Sequence, residues 1–483
     1  MSQTLIMADQ LLGALAAAPV RFVHWKSNHH LNEALAGETD LDLLVAAEDA
    51  DRFRHVVAGL GGLAVISQPW ARYPEVEDWL LPDPDSGRFL HLHVHLATVT
   101  GLKRIKHLRL PWAGELLAQN RAGARGWPIP SAELELLVLL VRIWAKMPPL
   151  KRLFGPRVPA HIMAELRWLE SQAKPDALAQ AASALGLSAR FPLDLATESA
   201  IVRQARDFND QVQQHARMPW SAALLWAAKL TLQLALTKLW YRHVGPIRYR
   251  KTLAGKGAMV ALIGSDGSGK STVSQALEKW LRYKIDVHLI YMGSGDGRAG
   301  LVNGLRRALS AAFGKKVKAR RRRDPDKPVR PAGFAEKLYR LFDLLLLRRK
   351  LKLLRLARRL ADGGSIILLD RYPQQQFKAI SDGPRQQDGR GFAWAARQEQ
   401  RLFDEAARLG PDLVLKLAIA PEVAHARKPD HDIETIRRKC AITDAIVLDG
   451  AATVTIDAAA APETVLRRTQ AEIWDYLRKV SFR

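Results

Sequence analysis

Three groups of residues in this 483-residue chain have types and spacings that do chemistry. Gly264-Ser265-Asp266-Gly267-Ser268-Gly269-Lys270-Ser271 matches the pattern GxxxxGK[ST], and Thr272 follows it. A phosphate chain is bound by backbone N–H groups that must come within hydrogen-bonding distance, and the glycines clear the side chains that would block that approach. Lys270 is then a point charge for the β and γ phosphates, and the Ser271 hydroxyl is a ligand for Mg²⁺. The second group is Asp370-Arg371-Tyr372, at the end of the apolar run 365–369. A carboxylate there can order Mg²⁺ or an attacking hydroxyl, and the arginine beside it can hold a phosphate with two parallel bonds. The third is Asp40-Leu41-Asp42-Leu43, whose carboxylates share one strand face and can share a pair of Mg²⁺ ions.

Each group has a plainer reading beside the functional one. A Gly-rich turn can bind nucleotide without turning it over, and an Asp-Arg pair can simply end a strand at the surface. Asp40 and Asp42 are either a metal or nucleotide site or the trace of a fold retained without catalysis. His91, His93 and His95 alternate along one strand face, so they are either half-exposed strand residues or metal ligands.

The elements that must position these residues fall into three stretches. Residues 1–125 read as mixed α and β: helices near 5–18 and 28–36, a strand at 41–45, and a strand pair at 62–68 and 88–97. Residues 126–250 read as a helical section, in which Glu133 and Glu135 open a long apolar helix that stops at Met147-Pro148-Pro149. A basic, Gly-containing linker runs from Gly245-Pro246 to Gly257, where the main boundary is placed. Over 257–483, strands near 259–263, 287–291, 366–369, 413–417 and 453–456 alternate with helices, which predicts a parallel sheet covered by helices.

A chain with 48% hydrophobic and 25% charged residues folds, and its length calls for several domains. Cys440 is the only cysteine, which rules out an intrachain disulfide and points to a reducing, cytoplasmic setting. The N-terminus lacks a basic segment followed by an apolar run and a cleavage site, so export is not expected. The most membrane-like stretch, 219–241, is interrupted by Lys229, Gln233 and Lys238 and reads as a buried or surface-lying helix. The net charge of +24 favours anionic partners. Part of it crowds into 315–330, and this segment makes nucleic acid or an anionic membrane a secondary partner. The leucine-rich helix near 334–361 either packs its leucines on the sheet or lies on lipid.

From about residue 257 onward the motifs resemble the thymidylate kinase family of P-loop nucleoside-monophosphate kinases. The resemblance is carried by the run 264–272, by Asp370-Arg371-Tyr372, by Pro411-Asp412-Leu413, and by Pro421-Glu422 leading to Arg427. It implies ATP and Mg²⁺ as cofactors, with a nucleotide or phosphorylated small molecule as acceptor. Asp266 would approach the acceptor's sugar 3′-hydroxyl, and Arg371 would contact its phosphate. A basic lid would fall near 427–439, with Lys428, Arg437 and Arg438 in it and Arg427 its leading catalytic candidate. The family's Arg-Glu-Pro segment is absent, and Tyr291-Met292-Gly293-Ser294-Gly295-Asp296-Gly297-Arg298 stands there instead. Such variants resemble thymidylate kinase-like proteins associated with bacterial polysaccharide production. Residues 20–145 resemble the nucleotidyltransferase superfold, with Lys26-Ser27 in place of Gly-Ser and histidines in place of the third carboxylate. The expected architecture is thus an α+β nucleotidyltransferase-like domain, a helical section, and a P-loop kinase-type α/β domain. A homodimer is the assembly to test for.

Overall fold

The computed structural model describes residues 3–244, 250–292, 334–377, 383–384 and 393–481. The chain divides into two compact units, 1–254 and 255–483.

The N-terminal unit is built on a six-stranded mixed sheet of β1 (Phe22–His24), β2 (Leu41–Val45), β3 (Leu63–Ile66), β4 (Val76–Pro82), β5 (Phe89–His95) and β6 (Thr252–Leu253). Its order is β1-β2-β5-β4-β3-β6, parallel only where β2 meets β5. The strands expected as a pair, β3 and β5, do not touch. Between them lies β4, where Glu77-Asp78 breaks the apolar pattern that marks a strand. Those charges are tolerated because Arg54 pairs with Glu77 and Lys251 with Asp78. The stretch expected as a linker therefore supplies β6, an edge strand, and residues 245–249 within it lie outside the described residues.

Period-2 alternation gives this sheet two distinct faces. Leu41, Leu43, Leu90, Leu92 and Val94 pack against α1 (Ile6–Ala17) and α2 (Ala50–Gly59) in one core. On the opposite face, Val23, Trp25 and Leu44 join the core of the helical section around α3 (Ala132–Lys146). Ser131 caps α3 by accepting from the Leu134 N–H at 3.3 Å, and Pro148-Pro149 follow its end. α4 (Ala160–Glu170), α5 (Pro175–Ala184) and α6 (Glu198–Gln211) pack around α3, so its residues are buried on almost every side. The residues expected as a domain and a separate helical section share this one core.

The membrane-like stretch forms α7 (Trp220–Val244), and Leu225, Leu232, Leu236 and Leu239 on it are exposed rather than buried. Residues Trp220–Leu239 make a helix long and apolar enough to cross a membrane by length and composition.

The C-terminal unit has a five-stranded, wholly parallel sheet of β7 (Ala258–Gly264), β8 (Val287–Tyr291), β9 (Ile366–Asp370), β10 (Leu413–Ala418) and β11 (Ala452–Asp457), in the order β8-β9-β7-β10-β11. Its helices are α8 (Lys270–Leu281), α9 (Phe334–Asp362), α10 (Ala393–Arg408), α11 (Pro421–Arg427), α12 (Ile433–Ala445) and α13 (Pro462–Ser481). β7, β9 and β10 are buried and read as near-continuous apolar runs, whereas β8 and β11 at the sheet's edges are less buried. The leucine-rich helix α9 buries Leu351 and Leu354 with Ala357 and Leu360 against the sheet. Its outer basic residues make ion pairs, Arg355 with Glu405 and Arg358 with Asp412. The basic segment 315–330 and residues 293–298 lie outside the described residues.

Candidate functional site

Parallel pairing brings the C-terminal unit's motifs together. Leu262 of β7 is opposite Asp370 of β9, and Gly264 is opposite Leu417 of β10, so all three strands end on one edge. The connection from β7 runs towards β8 and that from neighbouring β10 runs the opposite way to β11, and in an open parallel sheet such a reversal is where a crevice for ligands forms.

Residues 265–269 turn from β7 into α8. Gly267 and Gly269 have φ of +85° and +82°, a left-handed backbone that glycine adopts without strain. Gly267 has a second reason to lack a side chain: a Cβ there would lie 2.4 Å from the Ala424 carbonyl oxygen of α11. The glycines expected to clear room for phosphate thus also clear room for protein. Ser268 braces the turn by donating its hydroxyl to the Ser265 carbonyl at 2.9 Å. Lys270 curls over it, donating to the carbonyls of Gly264 at 2.8 Å and Ser265 at 2.6 Å. Burial, with help from Arg371, lowers the Lys270 ammonium to about 8 against the opposing pull of Asp266 and Asp370. Ser271 and Thr272 are exposed on the first turn of α8.

One pocket gathers Gly264, Asp266, Lys270, Arg371, Gln374 and Lys439. Asp370 is buried at the end of β9, and Arg371 follows it with φ of +76°, strained for a side chain larger than glycine. Burial opposes the charge on Asp266, yet Lys439, Lys270 and Arg371 together hold its carboxyl below the usual carboxylate range. Lys439 forms an ion pair with Asp266, and His431 Nδ1 lies 3.7 Å from the same carboxylate.

The lid region is placed differently from expectation. Arg427 donates to the carbonyls of Ala458 at 2.9 Å and Ala459 at 3.4 Å, so its guanidinium braces the chain just after β11. Arg437 pairs with Glu434 and Glu422, and Lys428 is exposed. Lys439 reaches the loop from this region, as His431 does at longer range, with Ile436 and Cys440 of the same helix as Lys439 packed on Ala424. Its only sequence signal was its place at the end of the basic run, since a helix of many cations does not announce which one turns inward. Gln374 had no such signal.

The N-terminal unit has a second cluster. Asp40 and Asp42 line a cavity of about 370 Å³ together with His24, Ser27 and His30. Their nearest partners differ: Asp40 Oδ1 is 2.7 Å from His91 Nδ1, whereas Asp42 Oδ1 is 2.7 Å from Lys26 Nζ. A third carboxylate in the cluster is Asp78 of β4, with Oδ1 3.1 Å from His91 Nε2 and 2.9 Å from His93 Nδ1. Burial opposes ionisation of Asp78, but hydrogen bonds from His91 and His93 and the charge of Lys251 hold it far below the usual range. Beneath the cavity, Glu135 of α3 accepts from the Asn28 backbone N–H at 3.0 Å and from Asn28 Nδ2 at 2.8 Å. It thereby fixes the turn at Ser27, whose φ is +59°, and with it the position of Lys26.

No family model matches the chain. Among curated proteins, it is 30% identical over 204 residues to "Uncharacterized ATP-binding protein YghS" of Escherichia coli (strain K12), covering 41% of this chain and 85% of that protein. It is 31% identical over 225 residues to "Uncharacterized ATP-binding protein YghR" of the same strain, covering 44% of this chain and 85% of that protein. At this identity and coverage, the chain belongs to the family of these two Escherichia coli proteins.

Proposed function

We propose that the C-terminal unit binds ATP at residues 264–272 and transfers its γ-phosphate to a nucleoside monophosphate (dTMP-like) or a related phosphorylated acceptor. The observation that carries this reading is the convergence of Lys270, Asp266 and Arg371 in one pocket at the end of a parallel sheet, beside Asp370. The names of the Escherichia coli relatives support the donor.

In this reading the loop amides hold the phosphate chain, and Lys270 meets the charge that develops on the transferred group. Arg371 orients the acceptor phosphate, and Asp266 faces the acceptor's hydroxyl end. Ser271 and Asp370 offer the hard oxygen donors that Mg²⁺ takes and would hold it. Bound there, Mg²⁺ would neutralise phosphate charge.

An ADP-release screen over nucleoside monophosphates and sugar phosphates tests the proposal. Stimulation by one acceptor class, lost in Lys270→Ala, is the expected result. If no acceptor raises ADP formation above the water background and Lys270→Ala changes nothing, the kinase reading fails.

A second reading rests on the cavity that Asp40 and Asp42 line in the N-terminal unit: nucleotidyl transfer to a protein or small molecule. Label transfer from an α-labelled NTP that persists in the Asp40→Ala/Asp42→Ala chain would exclude it. A third, an ATP-binding regulatory protein that holds nucleic acid or anionic membrane, predicts salt-sensitive binding with no acceptor-dependent turnover.

A further inference from the structure

Asp42, His93 and His95 each turn one ligand atom to a common point, and these atoms lie within 4.8 Å of one another. They come from neighbouring strands in register, Asp42 opposite His93 and Leu44 opposite His95, so the backbone ladder sets their spacing. His93 is anchored at Nδ1 by Asp78, 2.9 Å away, which turns Nε2 into the ligand nitrogen. A carboxylate behind a histidine in this way fixes the ring's tautomer and orientation, as in metal-binding histidines. His95 is fully buried, with Nε2 3.9 Å from Asp42 Oδ1. Asp42 reaches the cavity of about 370 Å³, which provides an entry path.

A cation already stands at this point: Lys26 Nζ is 2.7 Å from Asp42 Oδ1 and 3.2 Å from His95 Nε2. An ammonium there uses the same carboxylate oxygen and the same imidazole lone pair that a metal would. The Arg142 guanidinium adds positive charge beside Lys26, so a second cation cannot simply join. We propose that Asp42, His93 and His95 form a site for a first-row transition ion such as Zn²⁺ or Co²⁺, in which the ion and the Lys26 ammonium exclude each other. Two imidazoles and one carboxylate favour such an ion over Mg²⁺, which takes oxygen ligands. Asp40 stands outside this trio, bound to His91, so the site differs from a carboxylate pair sharing two Mg²⁺ ions.

The test is a Co²⁺ titration of the full-length chain, stripped with chelator and free of nucleotide, followed by the visible absorption of nitrogen-ligated Co²⁺ and by the melting temperature. One equivalent should bind with a visible band, competed away by Zn²⁺ and not by Mg²⁺. His93→Ala and His95→Ala should weaken it by about 100-fold, and Lys26→Met should tighten it by about tenfold or more. A gain of affinity in Lys26→Met cannot come from misfolding, so it keeps the test decisive if the histidine variants are unstable. Absence of the band from both the wild-type and Lys26→Met chains overturns the proposal, as does binding indifferent to His93 and His95. Equal affinity with and without Lys26 overturns the mutual exclusion.

Discussion

Lys439, on α12, pairs its ammonium with the carboxylate of Asp266 in the phosphate loop. Together with the Gly267 contact on α11, this pair ties the loop to the helices that follow β10. Both side chains are largely withdrawn from solvent, so the interaction is screened less than a surface pair. A double-mutant cycle of Asp266→Asn and Lys439→Met should return a coupling of about 1–3 kcal/mol in denaturant unfolding. Additivity of the two single effects would mean that the pair contributes nothing to the loop's placement.

Gly267→Ala and Gly269→Ala separate two demands on the loop. Both need a left-handed backbone, but only Gly267 would drive a Cβ into a carbonyl oxygen, while open space surrounds Gly269. Gly269→Ala should cost about 1–2 kcal/mol of stability, the strain of a left-handed alanine. Gly267→Ala should cost more and weaken ATP binding as well. Equal urea midpoints for the two variants would contradict this account.

Glu135 makes stability depend on pH with a sign set by burial. Burial pushes its carboxyl from 4.5 up to about 7, against the two hydrogen bonds from Asn28, which pull the other way. Between those values the folded chain keeps a proton that the unfolded chain has released, so this group's contribution falls as pH rises from about 4.5 to about 7 and is flat above. The total change is about 3 kcal/mol. The unfolding free energy of Glu135→Gln minus that of the native chain should therefore rise across that window, measured by urea midpoints at a series of pH values. A difference that stays level with pH refutes the assignment.

Asp78 is the hub of the N-terminal cluster, with His91, His93, Ser67 and Lys251 converging on one buried carboxylate. Asp78→Asn leaves buried charge without its partner and should destabilise the chain by about 3–5 kcal/mol. Lys251→Met removes the cation of β6's edge and should cost less, because Asp78 keeps both histidines. Chemical unfolding monitored by tryptophan fluorescence ranks the two. The reverse order would show that the edge strand, and not the histidines, secures Asp78.

The glycine spacing at 264–271, the C-terminal unit's parallel strands and the placing of Asp40 and Asp42 at the start of β2 were legible in the sequence, because each is a local pattern. What no local pattern carries is partnership across the chain. β4 went unread because its charges are balanced by Arg54 and Lys251, residues distant in sequence. Arg427 and Lys439 look alike in a basic run, and only the packing of α12 on α11 turns Lys439 to Asp266 and leaves Arg427 on the carbonyls beyond β11. The alternating histidines could be seen on one strand face. That Asp78 anchors His93, while Lys26 and Asp42 meet His95, required the register of three strands and the turn that Glu135 holds, contacts set by tertiary structure alone.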